Sequence, residues 1–226
     1  MIALVDSDIL CYRIGFACEE ETLNHARQSM DSFIIDIMTF HLPDVFDYEF
    51  HLTGKGNFRD EIAVTKPYKG NRTGMKKPKH LQALRDYLVD KWGAIMHEGQ
   101  EADDGMAIKQ YELGDESIIV SIDKDLDMVP GWHYNFNKRS RYYTTPEEGM
   151  YKFYKQILTG DRVDNIQGVM GIGEKKAEKI LAECTTESEM WKACIKAHGS
   201  KERAVEDARL LWMRSKDDEI WQPLED

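Results

Sequence analysis

The sequence predicts an α/β fold: a mostly parallel central sheet with helices on both faces, followed by a helical C-terminal region. Three observations carry this. Short apolar and β-branched runs at 2–5, 47–53, 93–97 and 117–122 alternate with longer segments of helical character, the pattern of strand–helix–strand crossovers. Acids follow these runs closely, and parallel sheets present ligand-binding residues at the carboxyl ends of their strands. Beyond about residue 145 the strand runs cease and helix-start signals recur.

Ile-Ala-Leu-Val at 2–5 reads as a buried strand ending at Asp6, and 9–17 as a helix. A longer amphipathic helix fits 24–40 and stops near Pro43; 47–53 is a strand before the turn Gly54-Lys55-Gly56-Asn57. Residues 66–78, jointed by Pro67, Gly70, Gly74 and Pro78, read as a loop leading into a helix at 79–91. A strand at 93–97, a helix at 101–113 and a strand at 117–122 complete the alternation. Thr145-Pro146-Glu147-Glu148 combines an N-cap, a proline at the first helical position and a capping-box Glu, opening a helix to Leu158. A second box, Thr186 to Glu189, opens another. We expect one unit, 1–226, with an α/β core at 1–145 carrying a basic arch or loop at 66–91, and a helical region at 146–226.

Composition narrows the classes. The chain of 226 residues is 42% hydrophobic and 31% charged, which excludes collagenous, repetitive and disordered readings. The start has no basic leader and carries Asp6 and Asp8 in its first apolar stretch, so neither a signal peptide nor a membrane anchor is expected and a cytoplasmic location is. Four unpaired-spacing cysteines and scattered histidines argue against disulfide frameworks and zinc. The net charge of −11 speaks against nucleic-acid binding by bulk charge. Yet residues 66–85 carry seven basic residues and no acid, so that window could grip a polyanion.

Four acidic clusters stand out: Asp6 with Asp8; Glu101, Asp103 and Asp104; Asp123 and Asp125; and Asp161 with Asp164. Singly each could be a helix cap or turn. Brought together, carboxylates a few ångströms apart repel by roughly 4 kcal/mol per pair at an effective dielectric near 20, so cations are needed. Hard oxygen ligands without His or Cys suit Mg²⁺ or Mn²⁺, and two such ions can hydrolyse phosphodiesters. Gly168-Val169-Met170-Gly171-Ile172-Gly173, followed by Lys175 and Lys176, has glycines that let backbone amides approach a phosphate at a helix N-terminus.

These segments resemble the 5′-nuclease superfamily: flap endonucleases, the 5′-nuclease domain of bacterial DNA polymerases and compact phage-encoded 5′–3′ exonucleases. The matching stretches are Val5-Asp6 with Arg13, Phe58-Arg59, Tyr68 to Arg72, Glu101 to Asp104, Asp123 to Leu126, and Gly160 to Ile166 running into the glycine turn. The resemblance implies a PIN-like core and a helix-three-turn-helix at about 160–183. It implies that Asp6, Glu101 and Asp103 serve one metal and Asp123, Asp125 and Asp161 the other, with Asp104 and Asp164 in or beside the second site. Gly168, Gly171, Gly173, Lys175 and Lys176 would hold duplex backbone, where K⁺ can join. Lys69 and Arg72, with Lys76 and Lys77, would stand at the arch that takes a single-stranded 5′ end, and Arg13 would face phosphates near the cut.

The implied activity is metal-dependent cleavage of DNA, with RNA strands in hybrids as further substrates, at a 5′ end or flap by a monomer, in replication or DNA processing. If phage-encoded, the protein would act in host cytoplasm. One departure matters: where the family has an aspartate before the Phe-Arg element, this chain has Thr53, and Asp8 is the candidate replacement. Two other readings compete. Leu4 to Asp8 also resembles the first motif of haloacid-dehalogenase-like phosphatases, and a DNA-binding protein without turnover would keep the glycine turn. The first leaves Glu101 to Asp104 and the basic window unexplained; retention of the other acids argues against the second.

Overall fold

The structure, a computed structural model, describes residues 1–224. Its sheet has six strands: β1 (Ile2–Asp6), β2 (Asp47–Thr53), β3 (Ile95–His97), β4 (Ser117–Val120), β5 (Gly131–Asn135) and β6 (Ser140–Thr144), in the order β3-β2-β1-β4-β5-β6. All neighbours pair in parallel except β5 and β6, which form an antiparallel hairpin at the edge. The chain builds outward from β1 in one direction through β2 and β3, then crosses back to lay β4 on the other flank. The switch point therefore falls between the C-terminal ends of β1 and β4, where Asp6 and Ser121 to Asp123 emerge.

Side-chain alternation along the strands separates two cores. Ala3, Val5, Ile118 and Val120 face α1 (Ser7–Ala17), α2 (Leu23–Asp36) and α4 (Leu81–Trp92). Leu4 and Ile119 face the opposite layer, which holds α5 (Ala102–Leu113), α6 (Pro146–Thr159), α7 (Glu174–Leu181), α8 (Glu187–His198) and α9 (Lys201–Leu211). A five-residue helix α3 (Phe58–Ile62) packs on α9. The helical C-terminal region and the sheet thus share one core, in which Trp191 and Trp221 stack edge-on 5.0 Å apart.

Both sequence-read capping boxes are present: Thr145 with Glu148, Pro146 at the first position, and Thr186 with Glu189. Three elements depart from expectation. The 24–40 helix is α2 followed by a π turn at Ile37–His41. Residues 93–94 belong to a helix end, Gly93 closing α4 at φ 66°, so β3 starts at Ile95. The β5–β6 hairpin was not anticipated, because its turn carries no glycine; Arg139 itself adopts φ 51°. Among the described residues no helix is long and apolar enough to cross a membrane.

Candidate metal centre and nucleic-acid interface

Asp6 closes β1 and caps α1, accepting from Ile9 N at 3.2 Å. Its other oxygen accepts from Ser121 Oγ at 2.7 Å, and that hydroxyl accepts from Asp123 N at 2.9 Å. One serine therefore ties the ends of β1 and β4 together. Burial, reinforced by Asp8 and Asp123, pushes the Asp6 carboxyl up to about 7. Asp103, in the first turn of α5, is driven well above the ordinary carboxylate range by burial and by Asp6, Asp123 and Glu101. Across the rim, Asp125 is pushed up to about 7 by burial and by Asp123 and Asp161. Asp161, facing Asp125, goes the other way: burial would raise its carboxyl, but Asp125 and the backbone N–H groups of Val163 and Asp164 hold it below the ordinary range.

The fourth cluster is carried by a closed loop. Asp161 and Ile166 exchange backbone hydrogen bonds at 2.9 and 2.7 Å. Gly160 and Gly168 cross at the loop's neck: a Cβ on Gly168 would lie 2.2 Å from Gly160 N, and both adopt positive φ. This neck turns Asp161 and Asp164 back toward the strand ends. Farther along, the turn presents Met170, 90% exposed, and α7 starts at Glu174 with Lys175 exposed. Lys176 Nζ donates to Gly171 O at 2.8 Å, which fixes the turn against its helix. Gly173 caps α7 with ordinary φ.

Cations are interleaved with these acids. Lys69 donates to Glu101 Oε1 and lies 3.6 Å from Asp164 Oδ2, while Arg72 reaches Asp164 Oδ1 at 2.6 Å. The Tyr68 hydroxyl lies 2.9 Å from Glu101 and 2.8 Å from Asp164. Among the described residues, no three His, Cys, Asp or Glu side chains as placed close around one point to ligate a single ion.

The structure gives several expected residues different work. Asp104 is fully buried, with Arg59 donating to both its oxygens at 2.6 and 2.8 Å. Burial alone would raise its carboxyl, but the guanidinium holds it below the usual range. Asp104 faces Arg59 rather than the rim. Asp8 is taken by Arg85 and by Thr53 N at 2.8 Å, so it is no free replacement acid. Thr53 ends β2 beside the cluster, its hydroxyl accepting from Ala102 N at 2.9 Å and so anchoring the start of α5. Arg13 donates to Asn137 Oδ1 at 2.6 Å and lies over the rings of Phe33 and Phe136.

The basic window is largely neutralised from within: Lys69, Arg72, Lys76 (on Glu19) and Arg85 all form ion pairs. Lys66, Lys77 and Lys79 carry no ion pair among the described residues, and Lys77 is exposed. Two site residues escaped sequence reasoning. Lys152 Nζ lies 3.5 Å from Asp127 Oδ2 and also faces Asp125 and Asp123; burial pulls its amine below the ordinary value. Gln156 donates to Asp125 at 2.7 Å. Their spacing of four places both on one face of α6, a signal visible only once that face is known to meet the acids.

The raised carboxyls give a pH dependence in the metal-free protein. Above about pH 6.5 the unfolded chain has lost these protons, while native Asp6 and Asp125 still hold theirs until about 7. The native state binds more protons there, so stability falls as pH rises from 6.5 to 8. Below that window buried His51 and His133 and half-buried His97, all with lowered values, act in the opposite direction. Thermal unfolding in EDTA should show Tm declining from pH 6.5 to 8, and less so in Asp6→Asn. A rising Tm would contradict the cluster's burial.

The fold is an α/β sheet with a cluster of carboxylates at its switch point. No family model matches the chain. A 5′–3′ exonuclease of Buchnera aphidicola subsp. Schizaphis graminum is 30% identical over 207 residues, spanning 80% of this chain and 69% of that protein. DNA polymerase I of Caldicellulosiruptor bescii is 28% identical across 95% of this chain, which spans only 28% of that protein's length. Among solved structures, the T5 D15 protein co-crystallised with metal ions superposes with a TM-score of 0.71 at 21% identity, covering 93% of this chain and 88% of its own. The chain belongs to the 5′-nuclease superfamily, among the 5′–3′ exonucleases.

Proposed function

We propose that this chain is a divalent-metal-dependent, structure-specific 5′ nuclease that hydrolyses DNA phosphodiesters at 5′ ends or flap junctions, leaving 5′-phosphates. The observation that carries it is the gathering of Asp6, Asp103, Asp123, Asp125 and Asp161 at the sheet's switch point, where burial and neighbouring carboxylates raise the carboxyls of Asp6, Asp103 and Asp125. An all-oxygen donor set of this kind fits Mg²⁺ or Mn²⁺. Asp6, Glu101 and Asp103 would hold one ion and Asp123, Asp125 and Asp161 the other, with Asp164 beside the second. Bound there, such ions would supply an activated water and stabilise the leaving oxygen. Asp104 belongs to the scaffold through Arg59.

The chain's own groups supply the rest. Lys69 and Arg72, on a loop pinned by Lys69 N to Asp164 O at 2.9 Å, stand at the acids and can transfer their donors to the phosphate of a single-stranded 5′ end. Lys76 and Lys77 extend that surface. Duplex backbone would lie on the turn at Gly168, Gly171 and Gly173, with Lys175 free to reach a phosphate. The same turn would be the place for a K⁺. That the T5 protein is solved as a flap endonuclease with DNA and metal ions supports this substrate class. The phosphatase reading loses support, since Asp8 is committed to Arg85. The direct test is a 5′-labelled flapped duplex with Mg²⁺ or EDTA: metal-dependent short 5′ products are expected, and no cleavage in Mg²⁺ or Mn²⁺ would overturn the reading.

A second expectation separates the two grips. Lys69→Ala and Arg72→Ala should depress cleavage of flapped or tailed substrate more than they weaken binding to plain duplex. Lys175→Ala should do the reverse and flatten the salt dependence of duplex binding by about 0.9 in log–log slope per lost contact. Equal losses on both substrates in filter-binding and cleavage assays would reduce the basic loop to a general polyanion surface.

A further inference from the structure

Away from the acidic rim, a cavity of about 190 Å³ opens between α1, the π turn that ends α2, and the β5–β6 turn. Its contents are not those of an ordinary surface dimple. Tyr134, 3% exposed, forms part of the wall, and its hydroxyl is buried without a hydrogen-bond partner. Leaving such a group unsatisfied costs about 1–3 kcal/mol, which a ligand or the water it holds would recover. Arg139 and Asp36 both face that hydroxyl.

Arg139 is exposed, carries no ion pair among the described residues, and is held at the lip by the left-handed turn at φ 51°. Arg13 stands on the other side with one nitrogen on Asn137 and its plane fixed over Phe33 and Phe136. Its remaining donors have no partner among the described residues. Asp36, the one acid of the lining, is engaged by His41 at 3.2 Å, and His41 is stacked on Tyr134 with ring centres 5.9 Å apart.

Two guanidiniums, one of them pre-oriented, against a paired carboxylate make a site for an anion. The ring walls and a volume well above that of a bare oxyanion call for an organic portion as well. We propose that this cleft binds a phosphate-bearing nucleotide, Arg139 and Arg13 taking the phosphate and the Tyr134–His41 stack bordering the sugar or base. The nucleotide is either a unit of a single strand passing the sheet edge or a released mononucleotide. Arg13, which the resemblance sets toward phosphates near the cut, would here take a phosphate beside Arg139, and binding at this cleft is read without metal or cleavage.

The test is an NMR titration of the ¹⁵N-labelled chain in EDTA with inorganic phosphate, thymidine 5′-monophosphate and a thymidine tetranucleotide. Thymidine monophosphate should bind more tightly than phosphate, with shifts centred on Asp36, His41, Asn137 and the Arg139 side chain. Arg139→Gln should weaken it roughly tenfold, the loss expected of a charge-assisted hydrogen bond, and Tyr134→Phe should weaken it also. A tetranucleotide binding more tightly than the monophosphate assigns the cleft to a strand; equal affinity assigns it to the free nucleotide. Because Arg139 is exposed, Arg139→Gln leaves the fold intact. Absence of shifts at these residues with all three probes, or unchanged affinity in Arg139→Gln, would overturn the proposal.

Discussion

Asp161→Asn should lower cleavage of a flapped duplex by at least about a hundredfold, about 2.7 kcal/mol of transition-state stabilisation, while duplex affinity measured in Ca²⁺ stays close to that of the parent. The substitution is nearly isosteric, and its amide oxygen can still accept from Val163 N, which Asp161 holds at 2.6 Å. The loop and its Gly160–Gly168 neck therefore survive. What is lost is one negative charge facing Asp125, and with it the anion that would share a cation at the end of β4. Asp123→Asn should behave alike, since its backbone already anchors to Ser121. Asp104→Asn should not: its defect should appear in stability before turnover. Full turnover in Asp161→Asn, by initial rates at saturating Mg²⁺, would remove that residue from the site.

The rim was legible because its acids break apolar runs. Asp6 ends Ile-Ala-Leu-Val and Asp123 follows Ser-Ile-Ile-Val-Ser-Ile, and a parallel sheet has only one place for such residues to point. The glycine turn at 168–173 was legible too, though not the neck, where positive φ and close backbone approach select glycine at 160 and 168. Pairing was not. Lys69, Arg72, Lys76 and Arg85 look like one basic stripe in sequence, yet their partners are acids 32 to 95 positions away, and nothing in a local window announces them. Asp104 illustrates the limit. It sits in the same acidic run as Glu101 and Asp103, but helical periodicity turns it to the other side of α5, into a buried guanidinium.

Thr53 makes a related point. The residue that departs from the family's acidic pattern keeps a structural task, fixing the N-terminus of α5 and hence the position of Glu101 and Asp103. Arg85, which binds Asp8 and the Thr53 carbonyl, removes the neighbouring acid from the rim while holding α4 against β2.

Arg59→Ala should be among the most destabilising single substitutions in the chain, by about 3–5 kcal/mol, out of a total that for domains is about 5–15 kcal/mol. Arg59 is 1% exposed and joins three parts of the molecule. From α3 it grips both oxygens of Asp104 on α5, and it donates to Leu210 O at 2.9 Å and Trp212 O at 2.8 Å where α9 ends. Those carbonyls are among the orphan acceptors of a helix terminus, so the guanidinium also acts as a C-cap. Removing it leaves a fully buried carboxylate without its cation and two carbonyls without donors. Arg59→Lys keeps the charge but not the planar fork, and should fall between. The pair itself need not be worth its cost: Arg59→Met combined with Asp104→Leu should recover much of the stability lost by Arg59→Ala, because the burial penalty then vanishes with both charges. Urea unfolding of the three variants beside the parent measures this. A loss below about 1 kcal/mol for Arg59→Ala, in the range of an exposed ion pair, would mean that Asp104 finds solvent or another cation and that this junction is not what holds α9 against the rim.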